Sequence, residues 1–152
     1  MIIYIASDMG AIAGGRISSR MITVGFSTNI SRKLTMLGCA LLVTPVMIAA
    51  RVANLWGATA LISLATAAHQ AFAANLFTLP SDLFPRKAVG SVVGIGGAVG
   101  AIGGLLMAKY AGCALGTIDS YTPSFVLCAS VYLLALGCIH WMSPRYRPVS
   151  FL

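Results

Sequence analysis

Within a stretch that is otherwise almost wholly apolar, residues 54–79 carry Ser63, Thr66, His69, Gln70, Asn75 and Thr78. On a helix Thr66, His69 and Gln70 share one broad face, with Ser63 a turn below. Amide and imidazole groups in such a place suit the hydroxyls and carboxylates of a small ligand. An imidazole with an intrinsic pKa of about 6.5 also permits proton handling. The same groups serve equally as polar glue between helices, at about 1 kcal/mol a bond. For His69 in particular, a ligand contact and a structural hydrogen bond are both consistent with the spacing. Asp8 poses a similar choice. A carboxylate at membrane depth faces a cavity or a partner, whereas near a helix end it is merely interfacial.

A second constellation is backbone rather than side chain. Residues 90–104 read GSVVGIGGAVGAIGG, and Gly90 and Gly94, like Gly96, Gly100 and Gly104, recur four apart. In water so many glycines disfavour a helix by up to about 1 kcal/mol each relative to Ala. In lipid an unpaired backbone group is penalised more heavily, so the helix persists. The flat face then lets another helix approach closely, either as static packing or as a face that slides. Gly10, Gly14 and Gly15 repeat the pattern beside Asp8. The GxGxxG-like spacing at 94–97 lacks the preceding strand and the later acid of a dinucleotide site.

Other chemistries are poorly served. No nucleophile sits with a partnering base, no metal-ligand cluster appears, and no phosphate loop or cofactor motif is present. Cys39, Cys113, Cys128 and Cys138 show no CxxC spacing and read as small apolar side chains. An Asn29-Ile30-Ser31 sequon falls in a basic loop.

The elements that position these residues follow from composition. Of 152 residues, 59% are hydrophobic and 9% charged, with 10 Lys+Arg against 3 Asp+Glu. A water-soluble domain carries about 25% charged residues, so lipid is the solvent for most of this surface. The net charge of +7 is dispersed in small groups between apolar runs and forms no basic stripe, which argues against nucleic acid.

A helix needs roughly 20 apolar residues to cross a bilayer. An all-α membrane protein with five spans is predicted, at about 1–21, 34–51, 54–79, 88–109 and 124–142. The first is the weakest, interrupted by Asp8, Arg16 and Arg20. Polar turns are expected at 25–33, at 80–87 with a break at Pro80, and at 112–123 around Gly116 and Asp119. Pro144 and Pro148 should end the last helix.

Charges at the helix ends then set the orientation. Arg16, Arg20, Arg32, Lys33, Arg86, Lys87, Arg145 and Arg147 lie at one set of ends, and only Arg51 and Lys109 at the other. Cytoplasmic segments attract Lys and Arg, so the C-terminus is expected in the cytoplasm and the N-terminus on the far side.

The segment AHQAFAANLFTLPSDLFPRKAVGSVVGIGGAVGAIGGLL, residues 68–106, resembles the tenth and eleventh helices of hexuronate transporters. These belong to the anion–cation symporter branch of the major facilitator superfamily. SDMGAIAGGRISSRMI at 7–22, followed by Arg32-Lys33, is similar to that family's eighth helix and next loop, and YLLALGCIHWMSP at 132–144 to its twelfth. The resemblance implies helices eight to twelve of a twelve-helix carrier, hence part of the C-terminal half, with the N-terminal half missing. It implies import of a sugar-acid anion such as galacturonate or glucuronate, commonly with protons, across the bacterial inner membrane, with a periplasmic N-terminus here. It places Gln70 and Asn75, with His69 beside them, against the central cavity as substrate contacts. It places Gly90 to Gly104 at a gate against the other half. A non-transporting membrane subunit that docks through the glycine face is the alternative.

Overall fold

The structure, a computed structural model, describes residues 1–118 and 122–144. Asp119, Arg145, Arg147 and Pro148, used above for turns and orientation, lie outside the described residues. Five α-helices follow in order: α1 (Ile2–Thr23), α2 (Thr28–Val43), α3 (Leu55–Leu83), α4 (Arg86–Ile118) and α5 (Thr122–Met142). A 3₁₀ segment, Thr44–Arg51, continues α2. Among the described residues four spans are long and apolar enough to cross a membrane, α2 with its 3₁₀ extension, α3, α4 and α5. α1 is 22 residues long, but Asp8, Arg16 and Arg20 break it into short apolar runs, whereas α4 is free of charge from 88 to 108.

Local chemistry accounts for the ends. α1 stops at Gly25, whose φ of 106° is the left-handed conformation that glycine adopts without penalty. The Gly25 N–H donates to the Ile22 carbonyl and the Phe26 N–H to that of Met21, which satisfies two orphan acceptors of the last turn. Ser27 accepts from the Ile30 N–H and starts α2. This cap makes α2 begin at Thr28, six residues before the expected span, so its first two turns carry Arg32 and Lys33. Pro45 lacks the N–H that an α-ladder requires, and the chain tightens into 3₁₀ geometry there. Asn54 accepts from the Trp56 N–H and opens α3 at the position expected.

Two expected boundaries are corrected. Pro80 lies inside α3, which continues to Leu83. Around it, Thr78 donates to the Asn75 carbonyl at 2.7 Å and Ser81 to that of Thr78 at 2.7 Å, within the helix itself. The break falls at Phe84, extended at φ −113° and ψ 148°, because Pro85 disfavours helical geometry in the residue before it. α4 starts at Arg86 and runs to Ile118, through the expected turn at Gly112 and Gly116. Lipid-penalised backbone groups keep those glycines helical.

α3 is the centre of the assembly, with α1 and α2 packed along it. Val43, Val46, Ala49, Ala68 and Ala129 form one buried cluster; Met36, Cys39, Ala71 and Phe72 form another. Tyr132 of α5 packs against both. α4 is different: no part of its most apolar stretch is buried, and Leu105 is 73% exposed. An apolar surface of that extent is sustained by lipid or by another chain. Trp56 at the start of α3 and Trp141 at the end of α5 are exposed at opposite ends, where amphipathic rings anchor a helix at the membrane interfaces.

Candidate functional site

The polar residues of α3 divide into two groups. Gln70 and Asn75 are five positions apart, which turns them about 140° from one another on a helix. The structure follows that geometry. Asn75 is 0% exposed and faces α1 and α2, whereas Gln70 is half-buried on another side of α3.

Asn75 has its whole amide engaged. Nδ2 donates to the Gly14 carbonyl of α1 at 3.2 Å and to the Ala71 carbonyl at 2.9 Å. Its Oδ1 accepts from Arg32 Nη1 at 3.3 Å. Arg32 also donates from Nη1 to Ser18 Oγ at 3.0 Å and from Nε to Asp82 Oδ2 at 3.1 Å. Three helices are thus joined around one guanidinium. The Arg32 and Asp82 side chains are only 12% and 23% exposed. At that burial a charge needs its partner, and losing one side leaves the other uncompensated. In this conformation Asn75 serves helix packing.

His69 belongs to a second group. Its Nδ1 lies 2.7 Å from the Tyr132 hydroxyl, which joins α3 to α5. The Tyr132 ring meets His69 edge-on at 5.9 Å between centroids and Phe72 at 5.2 Å. Phe72 is buried and fixes the phenol, and the phenol fixes the imidazole. In the tautomer in which Tyr132 donates to Nδ1, the ring proton lies on Nε2, and the exposed ring then offers a donor suited to a carboxylate or hydroxyl. Gln70 adjoins His69 in sequence. Thr66 serves its own helix, donating to the Ile62 and Ser63 carbonyls at 3.1 and 3.0 Å, as Thr78 does to that of Asn75, whereas the buried Ser63 Oγ has no hydrogen-bond partner among the described residues.

The glycines divide as sharply. A Cβ on Gly14 would lie 2.6 Å from the Ala71 Cβ, and one on Gly10 would collide with the Ala67 backbone. α1 therefore crosses α3 at near backbone contact. Gly90, Gly94, Gly96, Gly100 and Gly104 have nothing within 4 Å of such a Cβ. The expected packing face of α4 is open among the described residues. Asp8 is exposed on α1, on the turn before the Gly10 contact.

Sequence reasoning missed Arg32, Ser18, Asp82 and Tyr132. By sequence Arg32 reads as a cation at a helix end, and Asp82 falls in the polar stretch 80–87. The available signal was scarcity: an acid in so apolar a chain needs a cation close by.

These features define an α-helical, multi-pass membrane protein. Its curated relatives are transporters. The chain is similar to the hexuronate transporter of Escherichia coli strain K12, 33% identical over 145 residues, which are 93% of this chain and 33% of that protein. It is similar to the same degree to the hexuronate transporter of Escherichia coli O157:H7. The chain thus spans about a third of the length of the curated relatives it matches. No protein-family profile matches it.

Proposed function

We propose that this chain is the C-terminal part, helices eight to twelve, of a major facilitator superfamily carrier that imports hexuronate or related sugar-acid anions, coupled to protons, across a bacterial inner membrane. The observation that carries the proposal is the 145-residue similarity to hexuronate transporters, which takes in all five helices. In this reading the N-terminus is periplasmic and the C-terminus cytoplasmic, as the helix-end charges favour. The upstream helices supply the rest of a two-sided cavity. The chain alone does not transport.

Substrate meets the face of α3 that carries Gln70 and His69, with the His69 Nε2–H and the Gln70 amide as donors. Asn75 reaches substrate in a conformation in which Arg32 has released it. The open glycine face of α4 packs against the upstream half and slides as the two halves rock. That open face also favours a second reading, a non-transporting subunit that docks on a separate membrane protein.

Uptake of radiolabelled glucuronate separates these readings. Cells producing the chain together with the upstream helices of its relatives should accumulate the label, and cells producing the chain alone should not. Gln70→Ala and His69→Ala should each lower uptake about tenfold or more, the effect of one lost hydrogen bond to a charged ligand. Unchanged uptake in Gln70→Ala and Asn75→Ala removes the site assignment. Absence of uptake in the restored protein, with co-purification of a defined membrane partner, favours the subunit.

A further inference from the structure

The sequence holds three acids. Asp82 is committed to Arg32 at 3.1 Å, and Asp119 lies outside the described residues. Asp8 is exposed on α1, and no described residue pairs with it or hydrogen-bonds to it.

Its depth follows from the crossing of α1 and α3. Gly10 meets Ala67 and Gly14 meets Ala71, so the two helices run parallel and Asp8 is level with Ala65. Ala65 is nine residues past Trp56, the exposed ring at the start of α3, and therefore about 14 Å along the helix. Half of a hydrocarbon core is about 15 Å. Asp8 thus sits near the midplane and not at an interface. A carboxylate there faces a cavity or a partner rather than lipid tails.

Its side follows from helical period. Ile17 of α1 and Ala68 of α3 line the cleft that both helices form with α2. At about 100° per residue, Asp8 lies roughly 180° round α1 from Ile17, and Gln70 roughly 160° round α3 from Ala68. Both border the open side of the α1–α3 pair, away from α2, with Gln70 about 8 Å further along the axis. Other titratable groups are distant or engaged. On α1, Arg16 is about 12 Å along the helix from Asp8 and Arg20 further still, while Tyr4 is one turn before it. On α2, Arg32 is bound to Asp82, Lys33 to the Ser143 carbonyl, and Cys39 lines the cleft on the far side. On α3, His69 is bonded to Tyr132.

The carrier reading puts a sugar-acid anion against Gln70. A second negative charge on that side, in the middle of the membrane, repels the anion more strongly than it would in water. One proton on Asp8 removes that repulsion, and by reciprocity the bound anion favours the proton.

We propose that Asp8 is the proton-carrying group of this carrier, on the same side of α1 and α3 as Gln70. The inference rests on the carrier reading. One Asp8 oxygen takes a proton from the periplasmic side as the anion binds and gives it up to the cytoplasm once the anion has left. One proton moves with each anion, and no bond within the substrate changes.

The test uses the chain joined to the upstream helices of its relatives, in proteoliposomes, with glucuronate as the probe. Two rates are compared: accumulation driven by a pH gradient, and exchange of labelled for unlabelled glucuronate at equal pH. Asp8→Asn should lower accumulation about tenfold or more and leave exchange within about twofold, because exchange needs no net proton movement. Retained exchange also shows that the variant is folded. Accumulation that survives Asp8→Asn overturns the proposal. So does loss of both rates, since Asp8 would then hold substrate or a cation of another helix. Neither outcome touches the carrier reading, which fails if the unaltered protein shows neither rate, and the proposal then falls with it. A second measurement uses the chain alone in lipid nanodiscs. Dicyclohexylcarbodiimide adds to protonated carboxyls in apolar surroundings, so it should label Asp8 and spare Asp82, which Arg32 holds as its counter-ion. Absence of label on Asp8 overturns the proposal independently of any transport.

Discussion

Gly10 and Gly14 of α1 meet Ala67 and Ala71 of α3 almost backbone to backbone, whereas Gly96, Gly100 and Gly104 of α4, spaced in the same way, meet nothing within 4 Å. The motif is alike and the outcome opposite. Spacing makes a face that can be approached; it does not supply what approaches. Between helices in lipid there is no hydrophobic drive, so close contact needs a partner whose own residues are small at the same period. α3 offers Ala67 and Ala71 at that period to α1. Within the described residues, no such stripe is set against α4.

The comparison breaks or sharpens by substitution, most strongly at the crossing itself. Gly10→Val should force α1 off the Ala67 backbone and destabilise the chain by about 3 kcal/mol, read as thermal unfolding in detergent. Next in size is Asp82→Asn, which leaves the Arg32 guanidinium without its counter-charge while its bonds to Ser18 and Asn75 remain. A loss of about 2 kcal/mol is expected, and restoring most of it with Arg32→Met in the same chain would identify the unpaired charge as the cause. Tyr132→Phe keeps the ring against Phe72 and removes only the bond to His69, so the loss should be about 1 kcal/mol. Smallest is Gly100→Ala. On a helix with no neighbour at that face it should be neutral or stabilise by at most about 1 kcal/mol. If Gly100→Ala instead destabilised the chain as much as Gly10→Val, α4 would already have a tight partner, and the contrast would collapse.

Much of the helical plan was legible because hydropathy acts locally. Asn54 as the start of α3 could be read from a capping residue ahead of an apolar run, and the order of the five helices from the polar turns between them. The ends that differed were set by single backbone events. A Ser27 cap drew basic residues into α2. Pro85, rather than Pro80, ended α3, although each proline disfavours helical geometry in the residue before it, so no local rule chose between them. The site was less legible. That Gln70 and Asn75 point apart follows from helical period alone and could have been read from their spacing. That Asn75 meets Arg32 could not, because the contact joins residues 43 apart. No local pattern distinguishes an amide that waits for a ligand from one already bound to a neighbouring helix. The same holds for His69 and Tyr132, 63 residues apart.

The 3₁₀ segment after Val43 has a consequence for reach. An α-helix rises about 1.5 Å per residue and a 3₁₀ helix about 2.0 Å. From Arg32 to Arg51 the chain therefore covers roughly 33 Å, against roughly 28 Å had it stayed α-helical throughout. Hydrocarbon is about 30 Å thick. By stretching its final turns, the span carries the exposed Arg51 further toward the wet layer, while Arg32 near its other end keeps its guanidinium inside the bundle against Ser18, Asn75 and Asp82.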